Sequence, residues 1–433
     1  MSTRIVTIGG GLAAATAADS LRELGHDGSI DLVAAEPHRP YQRPPLSKGY
    51  LTGSESLDEV YVHPESWAAG RDIALRTGIA ARRVVACPAD PGSPADPRGT
   101  VNSGAVELDD GTLLPYDRLL LATGAAPRRL NVSGTEAANV YALRTIEDAD
   151  RLRAEFSEGR RRVVLIGSGW IGLELAAAAR AAGNEVTVVS PSRSPLSSAL
   201  GDEMGSVFQR LHEDHGVRFE LGSGVVSIDT GSDGLATGVV TDRGAIPADL
   251  VIVGIGAEPR TALAETAGAE LAAPEDGGGI IVDASMRTSV PGVFAAGDAA
   301  NPVHPVLGSR LRSEHWANAI AGGKVAAASM LGREAELDDI PYFYTDQYDL
   351  GMEYSGYAPL AKNASLVVRG DVPGREFVAF WISGGRVVAG MNVNVWEVHG
   401  TSANQEVQRL IRDRVLVDPE RLADESAALG ALA

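Results

Sequence analysis

Two copies of one glycine fingerprint constrain this chain more than any other feature. The first copy is residues 9–14 (GGGLAA), and the second is residues 167–172 (GSGWIG). Each follows a short apolar run and precedes an alanine-rich stretch, so each predicts a strand that turns sharply into a helix. A side chain at Gly9 or Gly11, or at the matching glycines of the second copy, would obstruct the turn or the approach of a pyrophosphate to the helix N-terminus. The repeat therefore predicts two dinucleotide-binding units.

The residues around each turn complete a strand–helix–strand unit. Residues 30–35 predict a second strand that ends at Glu36, where a carboxylate would accept hydrogen bonds from ribose hydroxyls. The third small residue of each fingerprint, Ala14 or Gly172, would let the helix pack closely on the strand. The second unit continues from Arg162 to Ser190. Two such units favour an α/β fold over chance glycine turns before alanine-rich helices.

Length and charge exclude several classes of function. The chain has 433 residues, enough for two or three domains, and a formal net charge of −19. This charge argues against nucleic acid as a partner, because phosphate binding requires a basic surface. The sequence contains no apolar run of about 18 residues, the length that a membrane span needs. The fingerprint explains the apolar N-terminus better than a secretion signal does, so we expect a cytoplasmic protein.

The cysteine and histidine content limits the redox and metal chemistry. Cys87 is the only cysteine in the sequence, so the chain cannot form a disulfide framework or a Cys-x-x-Cys dithiol. His212 and His215 lie in an acidic stretch that predicts a solvated helix rather than a metal site. We therefore expect no metal centre and an electron acceptor other than a cysteine pair.

The apolar segments predict an interleaved arrangement of domains. Residues 1–123 and 248–330 are assigned to one domain, with a hairpin around residues 109–111, a loop over residues 86–104 and a helix from about residue 314 to 330. Residues 124–247 hold the second fingerprint unit. Residues 331–433 contain alternating segments, such as 377–382, that predict an antiparallel sheet and a helix near residues 406–414.

Further motifs carry a family resemblance over nearly the whole chain. Widely shared motifs are residues 122–124 (ATG), 254–259 (GIGAEP) and 293–298 (VFAAGD); more specific ones are residues 43–48 (RPPLSK), 312–319 (RSEHWANA) and 342–349 (YFYTDQYD). With these motifs the chain resembles the FAD-dependent NAD(P)H:ferredoxin reductases of the putidaredoxin reductase, rubredoxin reductase and ring-dioxygenase reductase type. The resemblance implies an FAD domain interrupted by an NAD(P) domain, both Rossmann-like, and a C-terminal α+β domain.

The resemblance also implies which residues bind the cofactors. Gly9, Gly11 and Ala14 would seat the FAD pyrophosphate, Glu36 the ribose and Asp298 the ribityl chain. The remaining cofactor-binding residues that it implies are Arg43, Lys48, Thr123, Gly124, Trp316, Gly167, Gly169, Ile171, Gly172, Ser190, Arg193 and Gly256.

Three residues are implied in catalysis by the same resemblance. Lys48 would place a positive charge beside the flavin, where it favours the reduced ring, and would form an ion pair with Glu174 that bridges the two nucleotide domains. Trp316 would shield the ring or line the electron path, although a buried core tryptophan is the alternative. Relatives that reduce peroxide or oxygen carry a redox cysteine after the Leu-Ser pair, where this chain has Lys48. The resemblance therefore implies that electrons leave the flavin for an external carrier.

Several choices stay open in the sequence. Relatives that prefer NADH end the second strand of the inserted unit with glutamate, whereas this chain has Ser190 followed closely by Arg193. NADH is the favoured donor and NADPH is an open alternative. The expected partner is a ferredoxin-type iron–sulfur protein serving a cytochrome P450 or a dioxygenase, docked through a patch with Arg310 and Arg312. A diaphorase or oxidase that uses quinone or oxygen, and an apoptosis-inducing-factor-like interaction protein, are the alternatives; oligomeric state is open.

Overall fold

The fold follows the predicted α/β pattern and is described by a computed structural model for residues 3–86 and 104–431. Its contacts divide the chain into two compact units. The first unit is Met1–Gln42, Leu57–Ala126 and Glu258–Pro341, and the second is Arg43–Ser56, Pro127–Ala257 and Tyr342–Ala433. Cys87 and the interior of the loop expected between residues 86 and 104 lie outside the described residues.

The first unit is built on a parallel sheet. Across this sheet the strands run in the order Val293–Ala295, Arg118–Leu121, Ile5–Ile8, Ile30–Ala34 and Ala74–Thr77. The central strands are entirely apolar or nearly so and are buried, as expected when helices cover a parallel sheet. The helices are Leu12–Glu23, Leu57–Val60, Trp67–Gly70, Ala262–Ala267 and Trp316–Met330, with 3₁₀ turns at Pro274–Asp276 and Gly297–Ala299.

Two smaller sheets complete the first unit. The antiparallel strands Ala81–Ala86, Gly104–Leu108 and Leu113–Tyr116 contain the hairpin predicted at residues 109–111, which is confirmed. The other small sheet consists of Ile280–Val282, Ala300–His304 and Ser309–Arg310. The short strands Ala125–Pro127 and Ala257–Pro259 lie where the chain passes from one unit to the other.

The second unit contains a parallel sheet of the same kind. Its strand order is Arg218–Leu221, Glu185–Ser190, Arg162–Ile166, Leu250–Val253 and Val140–Tyr141. The strand Leu250–Val253 therefore pairs in this sheet, although the predicted boundary at residue 248 assigned it to the first domain. Between the strands Arg218–Leu221 and Leu250–Val253, the chain forms a separate antiparallel sheet. Its strands are Val225–Thr230, Ala236–Thr241 and Gly244–Pro247. Its helices include Ile146–Ser157, Trp170–Ala181 and Ser197–Asp214.

The C-terminal part of the second unit forms the predicted antiparallel sheet. Its strands lie in the order Tyr342–Gln347, Leu350–Gly356, Arg386–Val393, Glu376–Ser383 and Ser365–Asp371. The helix expected near residues 406–414 is Ala403–Arg412, and it is followed by a further helix, Pro419–Ala423, that the sequence did not indicate. Shorter elements are Ala358–Ala361, Glu397–Val398, Thr401–Ser402 and Leu429–Ala431.

The segment 43–56 belongs to the second unit, although the predicted boundaries place it in the first domain. It consists of the 3₁₀ turn Pro44–Ser47 and the helix Gly49–Thr52. The hydroxyl of Tyr50 donates a 2.6 Å hydrogen bond to Asp150 Oδ1 on the Ile146–Ser157 helix. Leu51 is buried in the same apolar cluster as Leu152. These contacts hold the segment that carries Lys48.

One prediction about the helices is wrong. His212 lies on the Ser197–Asp214 helix but is fully buried rather than solvated, and its Nε2 is 2.7 Å from Gln347 Oε1. Burial lowers the pKa of His212 to about 4, against the opposing effect of the hydrogen bond to Gln347. Over residues 3–86 and 104–431, no helix has the length and apolar character needed to span a membrane.

Candidate cofactor and electron-transfer site

The first fingerprint forms the turn between the Ile5–Ile8 strand and the Leu12–Glu23 helix. Gly9 has φ +133°, and a Cβ built there would lie 2.0 Å from the carbonyl oxygen of Ala122. A Cβ at Gly11 would meet no protein atom within 4 Å. Backbone packing against Ala122 therefore requires glycine at position 9. Beside Gly11 the space is open, and the helix N-terminus there has no side-chain cap. This cradle fits the pyrophosphate of a dinucleotide.

The other residues implied at the first dinucleotide lie along the same edge of the sheet. Ala14 is a fully buried residue of the Leu12–Glu23 helix. Glu36 follows the Ile30–Ala34 strand, and its carboxylate accepts a hydrogen bond from the hydroxyl of Tyr41. Thr123 follows the Arg118–Leu121 strand and donates to the carbonyl of Arg260 at 2.6 Å, and Gly124 has φ +67°. The carboxyl ends of parallel strands are where dinucleotides bind in such sheets.

Asp298 and Trp316 also lie in the first unit. Asp298 is half-buried in the 3₁₀ turn Gly297–Ala299, after the strand Val293–Ala295. Burial lowers the pKa of the nearby His315 to about 4, against the opposing charge of Asp298. Trp316 begins the Trp316–Met330 helix, is 38% exposed and donates from Nε1 to Gln42 Oε1 at 3.0 Å. Trp316 is therefore not the buried core residue that the sequence left as an alternative.

The second fingerprint repeats the same steric arrangement in the second unit. Gly167 has φ +110°, and a Cβ there would lie 2.3 Å from the carbonyl oxygen of Gly254. A Cβ at Gly169 would meet nothing within 4 Å, while one at Gly172 would lie 2.4 Å from the carbonyl oxygen of Gly167. Ile171, in the first turn of the Trp170–Ala181 helix, is 44% exposed. This turn also fits a dinucleotide, with Gly172 allowing close packing of helix on strand.

The strand next to this second turn ends at Ser190. Ser190 is buried, and its hydroxyl accepts hydrogen bonds from Ser168 Oγ at 2.9 Å and from the backbone N–H of Ser192 at 3.3 Å. Arg193 is exposed three residues further on. Gly256 has φ +98°, and its carbonyl accepts a hydrogen bond from the backbone N–H of Arg128 at 2.9 Å. The strand end therefore presents no carboxylate to a ribose.

Two of the three residues implied in catalysis, Lys48 and Glu174, lie together in a cluster around the buried carboxylate of Glu174, whereas Trp316 belongs to the first unit. Lys48 Nζ donates to Glu174 Oε1, Ser47 donates to Oε2, and Thr345 donates to Oε1 at 2.6 Å. The side chain of Glu174 is 4% exposed and that of Lys48 is 17% exposed. The expected ion pair is thus present, but both of its residues belong to the second unit. Ser47 and Thr345 had no signal in the sequence beyond their place in the specific motifs.

Lys48 also faces the strand Tyr342–Gln347. Its Nζ lies 5.8 Å from the centroid of the Tyr344 ring, within reach of a cation–π contact. Tyr344 stands where relatives of the resembling type often have tryptophan, and it is 37% exposed. Burial raises the pKa of Asp346, while the ammonium of Lys48 lowers it and the carboxylate of Glu174 raises it. The ammonium is thus held between a buried carboxylate and an exposed aromatic face.

Arg43 and the arginines of the expected docking patch are engaged by backbone carbonyls. Arg43 donates to the carbonyl of Arg144. Arg310 donates to the carbonyls of Val282 at 3.1 Å and Asn301 at 3.0 Å. Arg312 donates to the carbonyl of Gly277 and forms an ion pair with Glu314 at 2.6 Å. These contacts explain the positions of the three arginines within the fold, and they leave the docking role as a prediction.

Comparison with known proteins decides the family. The profile of the pyridine nucleotide-disulphide oxidoreductase family matches residues 3–323, and that of the reductase C-terminal family matches residues 342–433. This chain belongs to the pyridine nucleotide-disulphide oxidoreductase family. It is therefore an oxidoreductase, and the family implies FAD and NAD(P)H as cofactors. The two open glycine cradles fit these cofactors.

Individual relatives match this family member over nearly its full length. The ferredoxin–NAD(+) reductase component of the anthranilate 1,2-dioxygenase system of Burkholderia cepacia is 37% identical over 425 residues, covering 98% of both chains. A ferredoxin–NAD(P)(+) reductase of Sphingomonas sp. is 34% identical, covering 96% of this chain and 94% of the relative. Among solved structures, the covalent putidaredoxin reductase–putidaredoxin complex matches with a TM-score of 0.88 and 32% identity, covering 99% of this chain and 98% of that one. The resemblance to ferredoxin reductases and the predicted fold class are confirmed.

Proposed function

We propose that this protein is an FAD-dependent reductase that takes hydride from NAD(P)H and passes single electrons to a ferredoxin-type iron–sulfur protein. The observation that carries the proposal is the cluster at Lys48, where Glu174 holds an ammonium. The family resemblance implies a redox cysteine at this position of the sequence in relatives that reduce peroxide or oxygen. The sequence has one cysteine, so an internal dithiol relay cannot form. Full-length matches to ferredoxin reductases support the same acceptor.

The chain's own residues would divide the work between the two units. In the first unit, Gly11 and its helix N-terminus would hold the FAD pyrophosphate, and Glu36 the ribose. In the second unit, Gly169 would hold the pyrophosphate of the nicotinamide donor. When bound, FAD would supply the chemistry that links a two-electron hydride donor to a one-electron acceptor. Lys48 would hold positive charge toward the flavin, and the buried carboxylate of Glu174 would fix where that charge lies.

Anaerobic rapid mixing tests this function. The FAD-loaded protein is mixed with NADH or with NADPH, and then with a panel of [2Fe–2S] ferredoxins, while the flavin and iron–sulfur absorbance bands are followed. We expect fast bleaching of the flavin band followed by reduction of at least one ferredoxin. Fast bleaching with transfer only to quinone or oxygen would favour a diaphorase or oxidase instead. No bleaching with either nucleotide would overturn the enzymatic function, as an interaction protein would predict.

For the nicotinamide donor we propose NADH as the preferred substrate, with NADPH also accepted. Ser190 directs its hydroxyl into the turn toward Ser168, so no carboxylate at this strand end repels a 2′-phosphate. The exposed guanidinium of Arg193 is the cation that a 2′-phosphate would reach.

A substitution of Arg193 checks this view of the donor. We expect Arg193→Ala to lower kcat/KM for NADPH by about tenfold, the loss of one charge-assisted contact, and to change kcat/KM for NADH by less than about twofold. Arg218→Ala is the matched control, because Arg218 is also an exposed arginine, on the strand next to Glu185–Ser190, but pairs with Glu185. Equal losses for both nucleotides in Arg193→Ala would contradict the proposed contact.

A further inference from the structure

A line of buried hydrogen bonds leads from the Ser197–Asp214 helix to Glu174. His212 Nε2 lies 2.7 Å from Gln347 Oε1, Gln347 Nε2 lies 3.2 Å from Thr345 Oγ1, and Thr345 Oγ1 lies 2.6 Å from Glu174 Oε1. His212 and Thr345 are fully buried, and Gln347 is 1% exposed. All four residues belong to the second unit. Buried polar side chains of this kind usually act together, because each fixes the orientation of the next.

The donors along this line all point toward Glu174. The amide oxygen of Gln347 can only accept a hydrogen bond, so His212 must carry its proton on Nε2. The amide nitrogen of Gln347 can only donate, so Thr345 Oγ1 accepts from it and turns its single proton to Glu174. A neutral imidazole suits this arrangement, and burial keeps His212 neutral by lowering its pKa to about 4.

The line ends on the oxygen that also holds Lys48. Thr345 and Lys48 both donate to Oε1 of Glu174, while Ser47 donates to Oε2. A hydrogen bond from Thr345 draws off part of the negative charge on Oε1, so less of that charge remains to offset the ammonium of Lys48. The hydroxyl proton of Thr345 is held in this direction only while Gln347 occupies its lone pair.

The alternation of side chains along the strand Tyr342–Gln347 places Thr345 and Gln347 next to each other. Thr345 and Gln347 are two apart on the strand Tyr342–Gln347 and therefore share one face, while Tyr344 lies on the other. Phe343, on the face of Thr345, packs against Trp170 at the start of the helix that carries Glu174, with ring centroids 4.5 Å apart. The strand is thus packed on this helix two residues before Thr345, and on the Ser197–Asp214 helix through Gln347 and His212 two residues after it.

We propose that His212, Gln347 and Thr345 are positioning residues that set the orientation and residual charge of Glu174, and through it the positive charge that Lys48 presents to the flavin. The inference rests on the proposed function, because it takes Lys48 to face the flavin. Loss of the hydrogen bond from Thr345 would leave more negative charge on Glu174 beside Lys48. This charge would disfavour the addition of electrons to the flavin.

The midpoint potential of the bound FAD measures this effect directly. The potential is determined by anaerobic reduction with dithionite in the presence of a reference dye, without nicotinamide or ferredoxin. For Thr345→Val and Gln347→Met we expect the reduced-to-oxidised ratio at a given potential to fall about tenfold, equivalent to a shift of about −30 mV for two electrons. The rate of flavin reduction should fall while KM for NADH stays within about twofold. Thr345→Ser keeps the hydroxyl and should keep the wild-type potential.

Ser355→Ala provides the control for a merely structural effect. Ser355 is fully buried on the adjacent strand and donates to Asn404 Oδ1 at 2.7 Å, away from Glu174. The Ser355→Ala variant should have a lower free energy of unfolding but an unchanged FAD midpoint potential. Wild-type potentials in Thr345→Val and Gln347→Met, with a loss of stability like that of Ser355→Ala, would overturn the inference. A wild-type protein that nicotinamides do not reduce would instead overturn the proposed function, which this potential does not measure.

A second measurement covers the case in which Gln347→Met does not fold. His212→Gln keeps a side-chain donor for Gln347, whereas His212→Leu removes it, and the potential should shift only in His212→Leu. In ¹⁵N-histidine spectra of the wild-type FAD-bound protein, His212 should show the neutral form with its proton on Nε2. A proton on Nδ1 of His212, or equal FAD midpoint potentials in the two His212 variants, would overturn the proposed role of His212.

Discussion

At the scale of single residues, the pair Lys48 and Glu174 has the strongest physical consequences. A carboxylate that is 4% exposed would be costly in a protein interior without partners. Here one ammonium and two hydroxyls satisfy its oxygens. Removing a single member of a buried pair costs more than removing both, because the remaining charge stays desolvated.

We therefore expect Lys48→Met to lower the free energy of unfolding by about 3 kcal/mol, as is typical when one partner of a buried pair is removed. The double variant Lys48→Met/Glu174→Gln should regain most of this loss, because the buried charge is gone. Urea denaturation of the two variants measures the difference. A double variant that is less stable than Lys48→Met would show that Glu174 does not carry the cost.

The burial of His212 should make the free energy of unfolding depend on pH. Its pKa is about 4 when folded, against an ordinary value of about 6.5 when unfolded. The unfolded chain therefore binds more protons between these values, so this contribution to stability is present above about pH 6.5 and is lost as pH falls toward 4. We expect the loss due to His212 to be about 2 kcal/mol between pH 7 and pH 5.

Denaturant unfolding at both pH values, in wild type and in His212→Gln, isolates this contribution. His212→Gln keeps a donor for Gln347 but does not titrate, so its stability should change less between pH 7 and pH 5. The comparison is needed because burial also lowers the pKa of His26, His63 and His315. An identical pH dependence in both proteins would show that His212 is not buried as described.

At the scale of structural elements, each strand–turn–helix unit contains two kinds of glycine. Gly9 and Gly167 are required because backbone atoms occupy the space of a Cβ at positive φ. Gly11 and Gly169 face open space instead. The chain alone does not explain these last two glycines, whereas close approach of a pyrophosphate does.

The two kinds of glycine should respond differently to alanine. Gly9→Ala should prevent folding or destabilise the protein by more than about 4 kcal/mol, since its Cβ would meet a carbonyl oxygen. Gly11→Ala should change stability by at most about 1 kcal/mol in the FAD-free protein and weaken FAD binding at least about tenfold, an effect of about 1.4 kcal/mol. Thermal unfolding and titration of FAD fluorescence measure these changes.

Gly169→Ala is the matched control for the first unit. It should keep wild-type FAD affinity and raise KM for NADH, because the second unit would hold the nicotinamide nucleotide. Wild-type FAD affinity in Gly11→Ala would place the FAD elsewhere than the first fingerprint.

At the scale of the whole molecule, sequence periodicity predicted what depends on neighbours along the chain. Both parallel sheets follow from apolar strands beside glycine turns, and the C-terminal antiparallel sheet follows from alternation. The membership of Leu250–Val253 in the second sheet was missed, because only its pairing with Arg162–Ile166 reveals it. The burial of His212 was missed because Gln347, which contacts it, comes from a strand 135 residues away.

The candidate site shows the same limit. Motifs pointed to Lys48 and Glu174 through the family resemblance, and the structure brings them together. Thr345 and Gln347 were visible as part of a motif, but their connection to Glu174 depends on the packing of the C-terminal strand on the Trp170–Ala181 helix. Polar contacts between distant elements are set by tertiary packing, which a single sequence does not specify.

The ratio of ferredoxin reduced to NADH oxidised tests the central claim most directly. Limiting NADH is added anaerobically to the FAD-loaded protein with excess [2Fe–2S] ferredoxin that accepts one electron, and both absorbance changes are recorded. The account predicts two ferredoxins reduced per NADH, because hydride brings two electrons and each leaves singly. Reduction of the bound FAD by NADH with no reduced ferredoxin, and continued NADH oxidation only after quinone or oxygen is added, would contradict it.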